Sequence, residues 1–235
     1  MNFHILSLFP EMIEGTMSHS MIGRAQERGL LNINNINIRD YSTNKHKRVD
    51  DYPYGGGNGM LMGPQAVYDA FASIRPSLAP DTPVIFMTPR GRVFRQEIAR
   101  ELATHEDVVL LCGHYEGIDE RVLELICTDY ISVGDYVLTG GELPAMIVVD
   151  AVSRLIPNVL SNADSARDES FEDGLLEHPQ YTRPPEFMGK RVPDILLSGH
   201  HANITAWRRA ASERETRARR PDLWAAYLAG RAQEE

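Results

Sequence analysis

Short β-forming runs alternate with helix-period segments through the first two-thirds of the chain, and this alternation restricts the fold more than any other feature. The runs "FHILSLF" (3–9), "INIRD" (36–40), "PVIFMT" (83–88), "DVVLLCG" (107–113) and "DYISVG" (129–134) read as strands. Several are too continuously apolar to leave one face wet. Between them, "GPQAVYDAFASIR" (63–75), "RVFRQEIARELATHE" (92–106) and "GIDERVLELIC" (117–127) carry apolar residues at helical spacing. In the last of these Ile118, Val122, Leu125 and Ile126 form the expected inward stripe. Such alternation implies a parallel sheet with helices on both faces, and it directs attention to the loops at the carboxyl ends of the strands, where ligands bind in this architecture.

Four loops fall at such ends. "YPYGGGNGMLMGP" precedes a helix, "TPRGR" follows a strand, and "CGHYEGIDERV" joins a strand to a helix. The fourth, within "SVGDYVLTGGELPAMIVVDAVSRLIP" (132–157), runs from a strand end through Gly140 and Gly141 into an apolar helix. There the glycines leave main-chain groups bare and permit dihedrals closed to other residues, and Pro144 suits a first helical turn. Read alone, each loop is ordinary turn chemistry. Several at one sheet edge are better explained by a ligand held by backbone. No GxxxxGK[ST] or GxGxxG spacing is present, which disfavours nucleotide hydrolysis and dinucleotide binding, and neither HExxH nor CxxC suggests zinc. Cys112 and Cys127 form no disulfide framework, and Cys112 reads as a small core residue.

A chain of 235 residues with 43% hydrophobic and 24% charged residues can bury a core in one or two domains. No apolar run reaches the ~18 residues of a membrane span, and the amino end "MNFHILSLFPEMIEG" lacks the basic region of a secretory signal. The expected location is the cytoplasm. The net charge of −9 argues against a protein that coats nucleic acid without selectivity. The charge is uneven, however: "NKHKR" (44–48) and "WRRAASERETRARRP" (207–221) are basic, and "DSARDESFED" (164–173) is acidic. Trp207, Arg208, Arg214 and Arg217 can gather toward one side of a helix.

The segments "GGGNGMLM", "CGHYEGIDERV", "SVGDYVLTGGELPAMIVVDAVSRLIP", "LLEHPQYTRP" and "VPDILLSGHHANITAWR" closely resemble the bacterial tRNA (guanine-37-N1)-methyltransferases of the SPOUT superfamily. The resemblance runs from the amino end to about Arg220. It implies a parallel α/β domain over 1–160 whose carboxyl part is tied in a deep trefoil knot. A flexible linker over 161–194 and a small tRNA-binding α-helical domain over 195–235 follow. It also implies an obligate homodimer with composite active sites, acting on the anticodon stem-loop of tRNA with S-adenosylmethionine as methyl donor. A magnesium ion that assists is implied too, although no ligand cluster in the sequence announces one.

By this resemblance the donor is held in bent form by Phe86, Met87, Thr88 and Pro89, by Gly113, Tyr115, Glu116 and Gly117, and by Ile131, Ser132, Val133 and Gly134. Tyr136, Val137, Leu138, Gly140, Gly141 and Pro144 complete the expected set. Adenine carries a donor and acceptors along its edge that main-chain groups can read, and glycine allows the approach. N1 of guanine must lose a proton, so a general base is needed within roughly 3 Å of it. The family places an aspartate directly before Ser-Phe; in "RDESF" that slot is Glu169, with Asp168 one residue earlier, and this is the clearest departure from the pattern. Position favours Glu169, and Asp168 stays open.

Arg154 corresponds to the residue that stabilises charge developing on guanine O6; read alone, it is an arginine suited to a helix end. Ser170, His200, His201, Arg208, Arg214 and Arg217 are the expected RNA contacts. The stretch from about Asn158 to Asp194 is long for a connection, and is expected to order over the donor pocket when tRNA binds. Two other readings remain: a SPOUT methyltransferase acting on another RNA base, and a noncatalytic RNA-binding module.

Overall fold

The computed structural model describes residues 1–160 and 169–234. The chain divides into two compact units, Met1–Ser161 and Asn162–Glu235. The first is α/β. Its five-stranded sheet comprises β1 (Asn2–Ser7), β2 (Asn32–Asn37), β5 (Val84–Val93), β6 (Asp107–Cys112) and β7 (Asp129–Ser132), in the order β2-β1-β6-β5-β7. Every neighbouring pair is parallel. A small antiparallel pair, β3 (Asp50–Asp51) and β4 (Leu61–Met62), lies outside this sheet.

The unbroken apolar runs are explained by burial on both faces. Along β6, Val108, Leu110 and Cys112 point to one core cluster, and Val109 and Leu111 to another. The first cluster packs beneath α1 (Pro10–Met17), α2 (Ser20–Glu27), α4 (Gln96–Leu102) and α6 (Glu142–Ser153); the second packs beneath α3 (Pro64–Ile74) and α5 (Glu120–Ile126). This two-sided covering is what a parallel sheet with helical crossovers requires.

Several local expectations are corrected. "INIRD" is not one strand: β2 ends at Asn37, whose side chain accepts from the Arg39 N–H and starts a 3-10 turn over Ile38–Tyr41. The segment 92–106 is helical only over Gln96–Leu102, because Arg92 and Val93 belong to β5. Leu125 is 74% exposed, and Leu123, absent from the expected stripe, is wholly buried. Val122, Leu123 and Ile126 share one helical face, and Leu125 falls opposite. Helices α1 and α2 were not legible in the strand and helix pattern.

The second unit contains a short hairpin, β8 (Glu186–Phe187) with β9 (Lys190–Arg191), then α7 (Asp194–Leu197), α8 (His201–Arg219) and α9 (Pro221–Glu234). The described part of the expected linker is bonded to α8. Leu176 N–H donates to Thr216 Oγ1 at 2.8 Å, the Glu177 N–H donates to Ser170 Oγ at 2.9 Å, and Leu175 is 1% exposed. Arg209 pairs with Asp173 and donates to the Tyr227 hydroxyl at 2.7 Å, tying this segment to both long helices.

Candidate functional site

At the carboxyl edge of β6, β5 and β7 lies a cleft of about 280 Å³. Every residue expected to hold the donor lines it, together with His114 and Thr139, which the sequence reading did not single out. His114 stands between two expected positions, so its place in the loop was the available signal.

Each wall has a local cause. Along β5 the register with β7 jumps: Met87 pairs with Ile131, and the next pair is Arg92 with the same Ile131. The intervening Thr88–Gly91 must bulge out of the ladder, which puts Thr88 and Pro89 at the cleft. Pro89 has no N–H to lose there. The return is possible only for glycine, since a Cβ on Gly91 would stand 2.4 Å from the Ile131 nitrogen.

The second wall is the loop after β6. Tyr115 adopts φ 59°, an uncommon value for a residue with a side chain. The loop is clamped to the glycine-rich segment before α3, with Glu116 N–H donating to Met60 O at 3.0 Å and Met62 N–H donating to Gly117 O at 2.9 Å. Gly59 lies against the Glu116 carboxylate, where a Cβ would meet Oε1 at 2.5 Å. Asp119 caps α5 by accepting from the Arg121 N–H, and the Arg121 guanidinium holds its carboxyl below the usual range.

The third wall follows β7. Ser132 Oγ accepts from the Gly134 N–H and donates to its carbonyl, and Gly134 sits at φ 151° with its bare face against the Tyr136 ring. Tyr136 and Val137 are more than half exposed, so the rim presents apolar surface to solvent.

Gly140 and Gly141 correct an expectation. Neither uses a positive φ; Gly141 is at φ −83°, ψ −7°, which any residue can adopt. Their requirement is space. A Cβ on Gly141 would stand 2.6 Å from Cys112 Cα and 2.9 Å from the Gly113 nitrogen, and the Gly141 N–H donates to Gly113 O at 2.9 Å. A Cβ on Gly140 would press on Glu142 Oε2 and His114 Nδ1. Beneath this corner Glu142, 2% exposed, opens α6 and accepts from Ser7 Oγ at 2.8 Å. A carboxylate is favoured at a helix amino end. His114 Nδ1 is buried with no hydrogen-bond partner among the described residues.

Of the expected catalytic residues, Arg154 shares the first unit with the cleft but is not among the residues that line it. Arg154 is the exposed C-cap residue of α6. It is separated from the Gly141 corner by twelve helical residues, or ~18 Å of helix. Glu169 belongs to the second unit, and Asp168 lies outside the described residues. Of the expected RNA contacts, Ser170 accepts from Glu177, His200 caps α8 and His201 begins it; Arg208, Arg214 and Arg217 are exposed along that helix. Among the described residues no group of three or more His, Cys, Asp or Glu side chains is placed to hold a metal ion. The implied magnesium ion finds no such protein ligand set among the described residues.

The first unit is thus a parallel α/β scaffold with a glycine-rich cleft of small-molecule size at its carboxyl edge. The chain matches the model of the tRNA (Guanine-1)-methyltransferase TrmD family over residues 1–226. It is 57% identical over 224 residues to a tRNA (guanine-N(1)-)-methyltransferase of Ruminiclostridium cellulolyticum, covering 95% of this chain and 96% of that protein. Proteins of the same name from Clostridioides difficile, at 54% identity, and Staphylococcus carnosus, at 55%, are covered over 97% and 92% of their lengths, and cover 95% and 97% of this chain. The chain belongs to the tRNA (Guanine-1)-methyltransferase TrmD family.

Proposed function

We propose that this protein transfers a methyl group from S-adenosylmethionine to N1 of guanosine 37 in tRNA. The observation that carries the reading is that all the donor positions expected from the family pattern line one cleft. The cleft suits the donor: its walls bring the glycine-rich loops after β6 and β7 to one edge of the sheet, and the close packing of Gly113, Gly140 and Gly141 against neighbouring protein atoms fixes their positions.

When bound, S-adenosylmethionine supplies a methyl carried on a sulfonium. A carboxylate at Glu169 or Asp168 accepts the N1 proton as the N1–methyl bond forms and the sulfur–methyl bond breaks. The Arg154 guanidinium offsets the charge that gathers on O6, an effect worth a few kcal/mol where water is excluded. The target base lies in a single-stranded loop and is extruded at lower cost than one in a duplex.

The active protein is a homodimer. One chain holds its donor cleft and Arg154 at opposite ends of α6, so a site containing both is most simply built from two copies. Leu143 and Ile147, 47% and 45% exposed on α6, offer an apolar face for this contact. The tight passages of Gly91 against Tyr130–Ile131 and of Gly141 against Cys112–Gly113 support the deep trefoil knot that the family implies. Residues 1–160 hold the donor, 161–194 carry the base and close on tRNA binding, and 195–235 bind tRNA. Among the described residues no helix is long and apolar enough to cross a membrane, and we place the protein in the cytoplasm with its substrate.

The test is methyl transfer from labelled S-adenosylmethionine to two tRNA transcripts differing only at position 37, guanosine or adenosine. Wild type should label only the guanosine transcript. Glu169→Gln should abolish labelling if Glu169 is the base, and Asp168→Asn should do so if the base is one residue earlier. Labelling of neither transcript by wild type that still binds the donor would refute the assigned substrate.

A further inference from the structure

The second unit holds a cavity of about 820 Å³ to which the methyl-transfer reading assigns no ligand, although Arg208 on its lining is an expected RNA contact. It lies between the extended segment His178–Pro185, α7 and the first half of α8. Its floor is apolar, with Val192, Leu196 and Ile204 among the lining residues. Tyr181, 48% exposed, forms part of one wall, and its ring is backed by Trp207 at a centroid distance of 6.3 Å. His178 packs edge-on to the same indole at 6.2 Å.

The charge on this lining runs against that of the whole protein. The chain carries a net charge of −9, yet the cavity is lined by two arginines, Arg183 and Arg208, and by no Asp or Glu. Neighbouring arginines are engaged: Arg209 pairs with Asp173 and Glu213, and Arg219 with Glu215. Arg183 and Arg208 have no carboxylate partner among the described residues. An apolar floor, an aromatic wall supported from behind and two free guanidinium groups at the lining are the elements by which proteins take up a single unstacked nucleobase with its phosphate.

The geometry points to this cavity as a receptor for one unpaired nucleotide of the tRNA, distinct from the methylated guanosine, with its base on Tyr181 and its phosphate met by Arg183 and Arg208. The inference rests on the tRNA reading above, and deepens it by giving the second unit a base-holding role instead of backbone contact alone. An apolar face without cationic groups would fit a second copy of the chain; the paired arginines and the absence of acid favour the nucleotide.

The experiment uses the full-length protein and a tRNA transcript that wild type methylates, with affinities for tRNA and for S-adenosylmethionine measured separately. Tyr181→Ala is expected to weaken tRNA binding about 5- to 100-fold, the range found for a lost base–aromatic stack, and to leave donor affinity unchanged. Tyr181→Phe should retain binding. Arg208→Gln, on an exposed helix face, should lower the salt dependence of binding by about one ion. With 4-thiouridine placed in turn at unpaired uridine positions, one position should crosslink within 178–208 and lose that crosslink in Tyr181→Ala. If wild type binds the donor but no tRNA, the tRNA reading itself fails. If wild type methylates tRNA while Tyr181→Ala and Arg208→Gln bind it as wild type does, the receptor is refuted alone. A shift from dimer to monomer in Tyr181→Ala with unchanged tRNA affinity would also refute it, by assigning the cavity to a second copy.

Discussion

Replacing Gly141 by alanine isolates the effect of space at the donor corner. The backbone at φ −83°, ψ −7° accepts alanine without strain, and the change should gain up to ~1 kcal/mol from the unfolded chain alone. Against this, the new Cβ would stand 2.6 Å from Cys112 Cα and 3.0 Å from Cys112 Cβ, where carbon atoms prefer ~3.5–4.0 Å. Either the end of β6 or the start of α6 must retreat by ~1 Å, and both are fully buried at the contact, with Cys112 and Ala145 at 0% exposure. Overpacking of this kind costs ~1–3 kcal/mol, so after that gain the net loss is about 1 kcal/mol, or ~2–4 °C in melting temperature for a chain of this size. Because the displaced atoms form the cleft wall, S-adenosylmethionine affinity should fall by at least about tenfold, which is ~1.4 kcal/mol. Gly15→Ala is the control: it lies on exposed α1 with nothing within 4 Å of the added carbon, and should gain up to ~1 kcal/mol of helix propensity. Thermal melts and titration calorimetry decide. If Gly141→Ala melts and binds as wild type does, the close approach is not what selects glycine there.

Three further outcomes are expected. Ser7→Ala removes the donor to Glu142 and the acceptor of the Phe9 N–H, both at a buried site, and should destabilise the protein by about 1–3 kcal/mol in denaturant titrations. Burial pushes the Cys112 thiol well up, and burial with Glu120 pushes Cys127 up to about 12. Both should therefore resist iodoacetamide in the native protein at neutral pH. Since the folded state keeps the Cys127 proton longer than the unfolded chain does, its contribution is complete below about pH 8.5 and is lost as pH rises toward 12; Cys127→Ala should flatten that fall. Arg220 holds the Asp222 carboxyl at about 2. Its contribution is present above about pH 4 and disappears as pH falls toward 2, and a carboxyl titration followed by NMR should show its midpoint there.

The sheet was legible because strands buried on both faces must be continuously apolar, as Val108–Cys112 are. The loops of the cleft were legible as glycine-rich strand ends. What periodicity could not supply was tertiary: Leu123 and Leu125 differ only in which side of α5 meets the sheet, and the register jump in β5 depends on its pairing with β7. His114 was missed because a histidine between two motif positions carries no signal until its burial is known. Arg154 was placed correctly at a helix end, and its distance from the glycine corner was already implied by the length of the helix between them.

The cleft is walled by pieces of chain that meet only after long excursions: Ile131 with Met87, Gly141 with Gly113, Met62 with Gly117. A ligand in contact with all of these walls binds the assembled fold in preference to a half-built one. Ligand binding then acts on the native state alone, adding ~2.7 kcal/mol at one hundred times the dissociation constant. In a cell supplied with the methyl donor, the metabolite would serve as a clasp on the finished fold, and its scarcity would be felt first as a loss of protein.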